Sequence, residues 1–402
     1  MIPNLRTVYN KNFTPEKYDA FLHDLANLYD YKPTFRICET PVFFSEAFKE
    51  KTLAACEHII DILCRPDFKS NSQAALEINA SSDILVPNED AHTTFLVIDF
   101  GVCEENGELV PKLIELQGFP SLYFFQLDLF KTYQKNFDLP KMLTPFFNGL
   151  DEKTYLETMR RVIVGDRPPE QVILLEIEPE KQNTLIDFLA TENYLGIETV
   201  CLTKIRKRGK NLYYTNKRGR STRIKKIYNR VIFDELARRT DLKPKFKFTD
   251  DLNVEWIGHP NWFFRISKHT LPFFDSPYIP KTFFLKDTDT SALDLKNYVL
   301  KPLFSFSGQG VKIDVTPQDI TDVKNPENYI LQEKVNYANV LETPSGQAKV
   351  EWRLMFVWEK NAPRPTLVTN LVRVSKGLMI GVRYNKDKDW VGGSIGLMND
   401  EI

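Results

Sequence analysis

Cysteine is scarce and unpatterned. The five residues Cys38, Cys56, Cys64, Cys103 and Cys201 are odd in number and scattered, with no Cys-x-x-Cys pair. That excludes a disulfide framework and a cysteine-based zinc site, and it points to reduced thiols in a cytoplasmic compartment. His58 has no second candidate metal ligand four residues away on its helix. No Ser–His or Cys–His constellation supplies a nucleophile for covalent catalysis. No apolar run approaches membrane-spanning length, and the opening Met-Ile-Pro-Asn-Leu-Arg-Thr-Val-Tyr lacks an apolar signal segment. Internal repeats and low-complexity tracts are absent as well. Charge of one sign is also lacking: the formal net charge is −1, so the field of the whole molecule favours neither nucleic acid nor membrane. What remains is a soluble intracellular chain of 402 residues, 42% apolar and 27% charged. That length is enough for about two to three domains.

Helical spacing dominates the start. Thr14-Pro15-Glu16 reads as an N-cap with proline at the first helical position, followed by Tyr18, Phe21, Leu22, Leu25, Leu28 and Tyr29 on one face. A second helix runs from Ser45 to about Leu63. Glu77 and Asn79 read as the end of a short helix. Two strands, Thr94–Phe100 and Pro111–Leu116, flank Asn106-Gly107, the strongest short hairpin signal. Alternation puts Glu115 and Gln117 on one face at the end of the second strand. A carboxylate and an amide oxygen held together suit Mg²⁺, and the same pair equally suits the wet face of an antiparallel sheet. An aromatic-rich helix from Leu122 to about Tyr133 follows.

The strand Gln171–Glu178, an amphipathic helix through Leu185 and Leu189, and the strand Glu198–Leu202 form a βαβ pattern. This predicts a small parallel α/β domain over roughly 168–245. Lys204 to Lys226 is rich in Lys and Arg and has no acid. It reads as a solvated hairpin pairing Asn211–Tyr214 with Ile224–Tyr228, in preference to a nucleic-acid patch. Arg230 follows at a strand end, where a guanidinium can fork onto a substrate carboxylate or close a structural ion pair. Further on, Tyr298–Leu300 delivers Lys301 to an anion-cradling turn, Ser305 to Gly310. Its return arm is expected at Val311, Ile313 and Val315.

Taken in order, Lys268, Lys301-Pro302, the glycine loop, Gln332-Glu333-Lys334-Val335, Glu351 and Arg373 resemble the ATP-grasp superfamily. Because Ile114-Glu115-Leu116-Gln117 comes far ahead of them, the order is similar to the circularly permuted branch typified by glutathione synthetase and glutathionylspermidine synthetase-like proteins. The resemblance implies an α+β or α/β architecture of that permuted kind. Residues 1–167 would be core with the metal-ligand hairpin and 168–245 an inserted substrate domain. Residues 246–402 would form the ATP-binding region, with a lid at about 280–330.

The resemblance also assigns residues. Glu115, Gln117 and Glu351 would be Mg²⁺ ligands, with glutamine in place of the family's asparagine. Lys268 and Lys301 would meet ATP phosphates beside Ser307, Gly308, Gln309 and Gly310. Gln332, Glu333, Lys334 and Val335 would read adenine. Arg230 and Arg373 would hold substrate carboxylates, with Ser121 nearby and Gly392-Gly393 closing over the site. Arg373, Arg230 and Lys301 would be the catalytic cations. Two features depart from the family. Its arginine ahead of the first hairpin strand has no counterpart at Phe95-Leu96-Val97, and its alanine-rich loop is reduced to Gly392-Gly393-Ser394-Ile395-Gly396.

The implied activity is ATP- and Mg²⁺-dependent ligation of a small-molecule carboxylate to an amine. A homodimer is compatible with it, and no membrane or nucleic-acid partner is expected. The alternatives are an ATP-binding protein that no longer ligates and, less favoured, a nucleic-acid binder working through Lys204–Lys226.

Overall fold

The structure, a computed structural model, describes residues 1–78, 85–304, 310–377, 380, 385 and 387–399. Asn79, Ser305, Ser307, Gly308 and Gln309 lie outside the described residues.

A turn signal and alternation build the central sheet. Asn106 (φ 54°) and Gly107 (φ 80°) adopt the left-handed conformations that a two-residue hairpin turn requires. They join the strand Phe95–Glu105 to Glu108–Gln117. On its other side Phe95–Glu105 pairs with Gly346–Val357, then come Thr366–Ser375 and the edge strand Gly392–Ser394, all antiparallel. A short strand, Leu341–Thr343, also pairs with Gly346–Val357.

One face of this sheet presents Ile98, Phe100, Trp352 and Leu354 to the helix Glu46–Leu63, which buries Phe48, Cys56, Ile59 and Ile60. Each such side chain contributes roughly 1.5–3 kcal/mol by leaving water. The opposite face is apolar at Phe95, Val97 and Met355, in the core that takes in most of the helix Tyr123–Asn136. Further along the same strands it turns polar, at Asp99, Glu351, Arg353 and Arg373.

Trp352 stacks on Phe44 with centroids 3.8 Å apart. Its indole donates to Asn370 Oδ1 at 3.0 Å, and the Gly396 amide donates to the same oxygen at 2.8 Å. A Cβ on Gly396 would stand 2.5 Å from that oxygen and 2.7 Å from the Phe44 ring. Gly396→Ala is therefore expected to cost roughly 1–3 kcal/mol. A urea melt should show a lower midpoint at unchanged slope, and an unchanged midpoint would mean that the contact yields freely.

A second, four-stranded sheet is wholly parallel, in the order Glu255–Ile257, Lys226–Asn229, Val172–Glu176, Glu198–Cys201. The crossover helix Leu185–Leu195 stops at Gly196 (φ 72°), a left-handed cap. Glu255–Ile257 forms one edge of this sheet. The expected pairing across the basic segment is corrected. Asn211–Thr215 pairs with Arg206–Arg208 and Ser221–Ile224, through a tight turn in which Asn216 N donates to Arg220 O at 2.9 Å. Ile227 and Tyr228 are fully buried, so the parallel sheet takes the strand that contains them.

A third sheet of three strands runs Thr282–Phe284, Tyr329–Glu333, Tyr298–Pro302, all antiparallel. Here too the sequence expectation fails, because Tyr298–Pro302 takes Tyr329–Glu333 as its partner. Of the expected return arm, only Lys312 bridges to Leu300. Leu331 is fully buried in a small core with Leu285, Leu300 and Val315, whereas Val311 and Ile313 stay half-buried. The more deeply buried strand takes the ladder. No helix of the described residues is long and apolar enough to cross a membrane.

Candidate active site

The hairpin register sets the first carboxylates. Asp99 faces Glu115 and Phe100 faces Leu113, so Ile114 is left over as a bulge. Such a bulge re-aims the strand end, and Glu115 and Gln117 leave the sheet beside Asp99. Across the next ladder Arg353 stands opposite Asp99, and Glu351 lies between Gly101 and Arg373. Directly opposed residues share a face, so four strands deliver Glu115, Asp99, Arg353, Glu351 and Arg373 to one polar patch.

The patch is an ion-pair lattice. Arg353 grips Asp99 bidentately, Nε and Nη2 each 2.6 Å from a carboxylate oxygen, and its Nη1 donates to Ser121 Oγ at 3.2 Å. Arg373 also donates to Asp99 and sits against Glu351 Oε1. Tyr337 OH donates to Glu351 Oε2 at 3.0 Å. Gly101 is needed here, since a Cβ would meet the Tyr337 ring at 2.7 Å. Burial raises the Glu351 carboxyl above its usual range, against the pull of Arg373. Glu115 is held low: burial opposes its charge, but Lys268, Arg353, Arg373 and Lys301 together outweigh burial.

Two lysines arrive from other elements. Lys268 opens the 3-10 helix Lys268–Phe273, whose N-cap Ser267 accepts from His269 N, and its ammonium lies 3.3 Å from Glu115. Lys301 crosses from the strand Tyr298–Pro302 and donates to Gln332 Oε1 at 2.6 Å and to Ile114 O at 3.4 Å. Burial first, and then the like charge of Lys268, lower Lys301 to about 8. Four cations thus face three carboxylates, Asp99, Glu115 and Glu351, which leaves an excess of one positive charge.

The remaining sequence-predicted residues fall elsewhere or are otherwise engaged. Arg230 is buried and pairs with Asp187 at 2.6 Å, so its geometry is that of a structural ion pair, not of a fork open to substrate. Gly392-Gly393 is not a loop: Gly393 pairs with Arg373, its amide donates to Arg36 O, and its carbonyl accepts from Cys38 N. Gln332 turns its side chain to Lys301. The Glu333 amide is given to Lys281 O and the Lys334 amide to Asn297 O, while Lys334 Nζ pairs with Asp314. Val335 is half-buried. Gly310 (φ 75°) packs against Pro302.

Sequence reasoning missed Asp99, the hub of the lattice. A lone aspartate inside Phe95-Leu96-Val97-Ile98-Asp99-Phe100 was the available signal. It also missed Glu176, at the carboxyl end of the central parallel strand and 4% exposed. Burial lifts Glu176 to about 8. Since the native state then binds a proton that the unfolded chain has released, stability should fall as pH rises from the ordinary carboxyl value towards 8. Glu176→Gln is expected to flatten that decline in urea melts between pH 5 and 8. An identical slope in both proteins would place the ionisation elsewhere.

Among the described residues no group of three His, Cys, Asp or Glu side chains converges on one point. The mixed set Glu115, Gln117 and Glu351 still offers the oxygen donors that Mg²⁺ takes. Glu351 Oε1 is buried without a well-aligned hydrogen bond, and the Arg373 guanidinium lies against it as an ion pair. The donor chemistry suits the ion, and Arg373 would have to give up that oxygen to it. Space is the constraint. The cavity touching Glu115, Gln117, Lys268 and Phe304 holds about 30 Å³, room for about one water. A cavity of about 710 Å³ lies on the far face of the strand Tyr298–Pro302, lined by Leu300, Pro302, Lys312, Asn328 and Tyr329. It includes none of the lysines or carboxylates assigned to the nucleotide, so we do not place the chemistry there.

Among solved structures, a glutathione synthetase-like effector (GSS30) from Globodera pallida, in its apo form, matches with a TM-score of 0.55. The fold is glutathione synthetase-like. The match covers 99% of each chain at 10% sequence identity, a likeness of fold alone. No family model matches the sequence, and no curated protein does.

Proposed function

We propose that this chain is an ATP-grasp protein of the circularly permuted kind, and that it ligates a carboxylate to an amine at the expense of ATP. The observation that supports the reading is that Lys268 pairs with Glu115 while Lys301, from a separate sheet, reaches the same hairpin strand at Ile114 and feels the charges of Glu115 and Glu351.

Direct attack of an amine on a carboxylate fails at neutral pH because oxide is a hopeless leaving group. Transfer of the γ-phosphoryl group to the carboxylate makes an acylphosphate, from which phosphate departs when the amine attacks. The chain's own groups serve that sequence by position and charge. Lys268 and Lys301 would neutralise phosphate oxygens. Arg373 has Glu351 and Asp99 behind it to fix its plane, and it presents the cation nearest the edge of the lattice to a substrate carboxylate. Glu115, Gln117 and Glu351 would hold Mg²⁺, which supplies charge neutralisation across the phosphates when bound. The lid must swing out to admit a nucleotide into so small a space, and its return excludes water from the acylphosphate. The test is ADP release from Mg·ATP against a panel of amino acids and polyamines, alongside a thermal shift with Mg·ATP.

A second reading is an ATP-grasp-like protein without ligase activity. The closed cleft favours it, with each carboxylate already matched by a resident cation. A thermal shift with no ADP release under any substrate pair would select this reading.

A further inference from the structure

The net charge of −1 conceals a segregation. Between residues 204 and 247 the chain carries 17 Lys and Arg against 3 Asp and Glu, leaving 36 basic and 51 acidic residues to the remainder. The three-stranded meander Arg206–Ile224 occupies the first half of that stretch. Its register puts Arg206 opposite Tyr213 and Tyr213 opposite Arg223. Leu212, Tyr214 and Ile224 are buried in the core below, so alternation turns Arg206, Tyr213 and Arg223 outward.

The outward guanidiniums have neutral partners. Arg206 donates to Thr215 Oγ1 at 3.1 Å and to Ser221 Oγ at 3.2 Å, and Arg223 donates to Asn211 Oδ1. Arg208 lies over the Tyr213 ring at 5.5 Å. No carboxylate among the described residues pairs with any of the three arginines. Two neighbouring lysines, by contrast, are matched at the margins, Lys207 with Asp250 at 2.7 Å and Lys217 with Glu192 at 2.6 Å. A row of arginine, tyrosine and arginine, rimmed by hydroxyls and an amide, is thus left without a paired carboxylate among the described residues on the outer face of the meander.

We propose that this outer face binds single-stranded nucleic acid, with Arg206, Arg208 and Arg223 on phosphates and Tyr213 stacked on a base. Guanidinium groups fork onto phosphate oxygens better than ammonium groups do, and an aromatic ring set between cations is the arrangement that holds unpaired bases without sequence preference. An acidic peptide would leave the Tyr213 ring unused. An anionic membrane would want apolar side chains to insert, and the exposed large ones among the described residues, Val8, Leu28, Leu85, Met142 and Phe273, are all outside the meander.

The experiment is fluorescence anisotropy of the full chain with a labelled oligouridylate of about ten nucleotides. A poly-glutamate peptide and phosphatidylserine vesicles run as parallel arms. Binding should weaken with salt by a log–log slope of about −0.7 per phosphate neutralised. The triple variant Arg206→Gln, Arg208→Gln, Arg223→Gln should lose at least tenfold in affinity and flatten the slope, with its melting curve unchanged. Tyr213→Ala should lose about fivefold or more at unchanged slope. No binding at low salt, equal affinity for poly-glutamate or for vesicles, or affinity indifferent to both variants in their folded form would each overturn the proposal.

Discussion

Glu351→Gln and Lys301→Met are each expected to lower Mg·ATP-dependent turnover by roughly 10²–10³-fold, the loss that follows removal of one preorganised charge from a dry site. Glutamine at 351 keeps the volume and still accepts from Tyr337, so the sheet should remain intact while the anionic oxygen facing Arg373 disappears. Lys301→Met removes the lid's one cation that reaches both Gln332 and the hairpin strand at Ile114. Lys301 also predicts a pH limb. Its ammonium titrates at about 8 in the closed site, so nucleotide affinity should fall as pH rises through that value. Lys301→Arg, charged throughout, should carry the limb upward. Steady-state ADP release and Mg·ATP titration between pH 6.5 and 9.5 read both effects. Unchanged turnover and unchanged affinity in the two neutralising variants would sink the ligase reading and the ATP-binding reading together.

What the sequence made legible was local. Asn106-Gly107 announced its hairpin, Thr14-Pro15 its helix start, and the alternation around Glu115 the face it would share with Gln117. Long-range choices were hidden. The Tyr298–Pro302 strand had two candidate partners of similar local propensity, and the winner was decided by Leu331 joining Leu285 and Val315 in a core. No window of sequence contains that fact. Asp99 was hidden for a related reason. An aspartate in an apolar strand is intelligible only once Arg353 and Arg373, some 250 to 275 residues later, are known to reach it. Lys268, Lys301, Glu115 and Glu351 were singled out because their order along the chain resembles a known pattern. Their mutual neutralisation, and the narrow space between them, required coordinates.

Arg230 separates a structural role from a substrate role, and its predicted effect is on stability. Its partner Asp187 is fully buried, and Asp187 Oδ1 also accepts from Phe124 N and Phe125 N at 3.0 Å each. Those amides open the helix Tyr123–Asn136, so one carboxylate from the parallel α/β unit caps a helix of the main core and satisfies donors that would otherwise be orphaned. Arg230→Met should cost roughly 3–5 kcal/mol by leaving a buried anion without its countercharge. Asp187→Ala should cost at least as much, because it strands a guanidinium and two amides. The double variant should fall short of the sum, since the two changes remove one shared interaction. Urea melts of the four proteins measure the coupling. If Arg230→Met instead melts like the unaltered chain and only its turnover falls, the arginine is held for a ligand and the pair with Asp187 is its resting state.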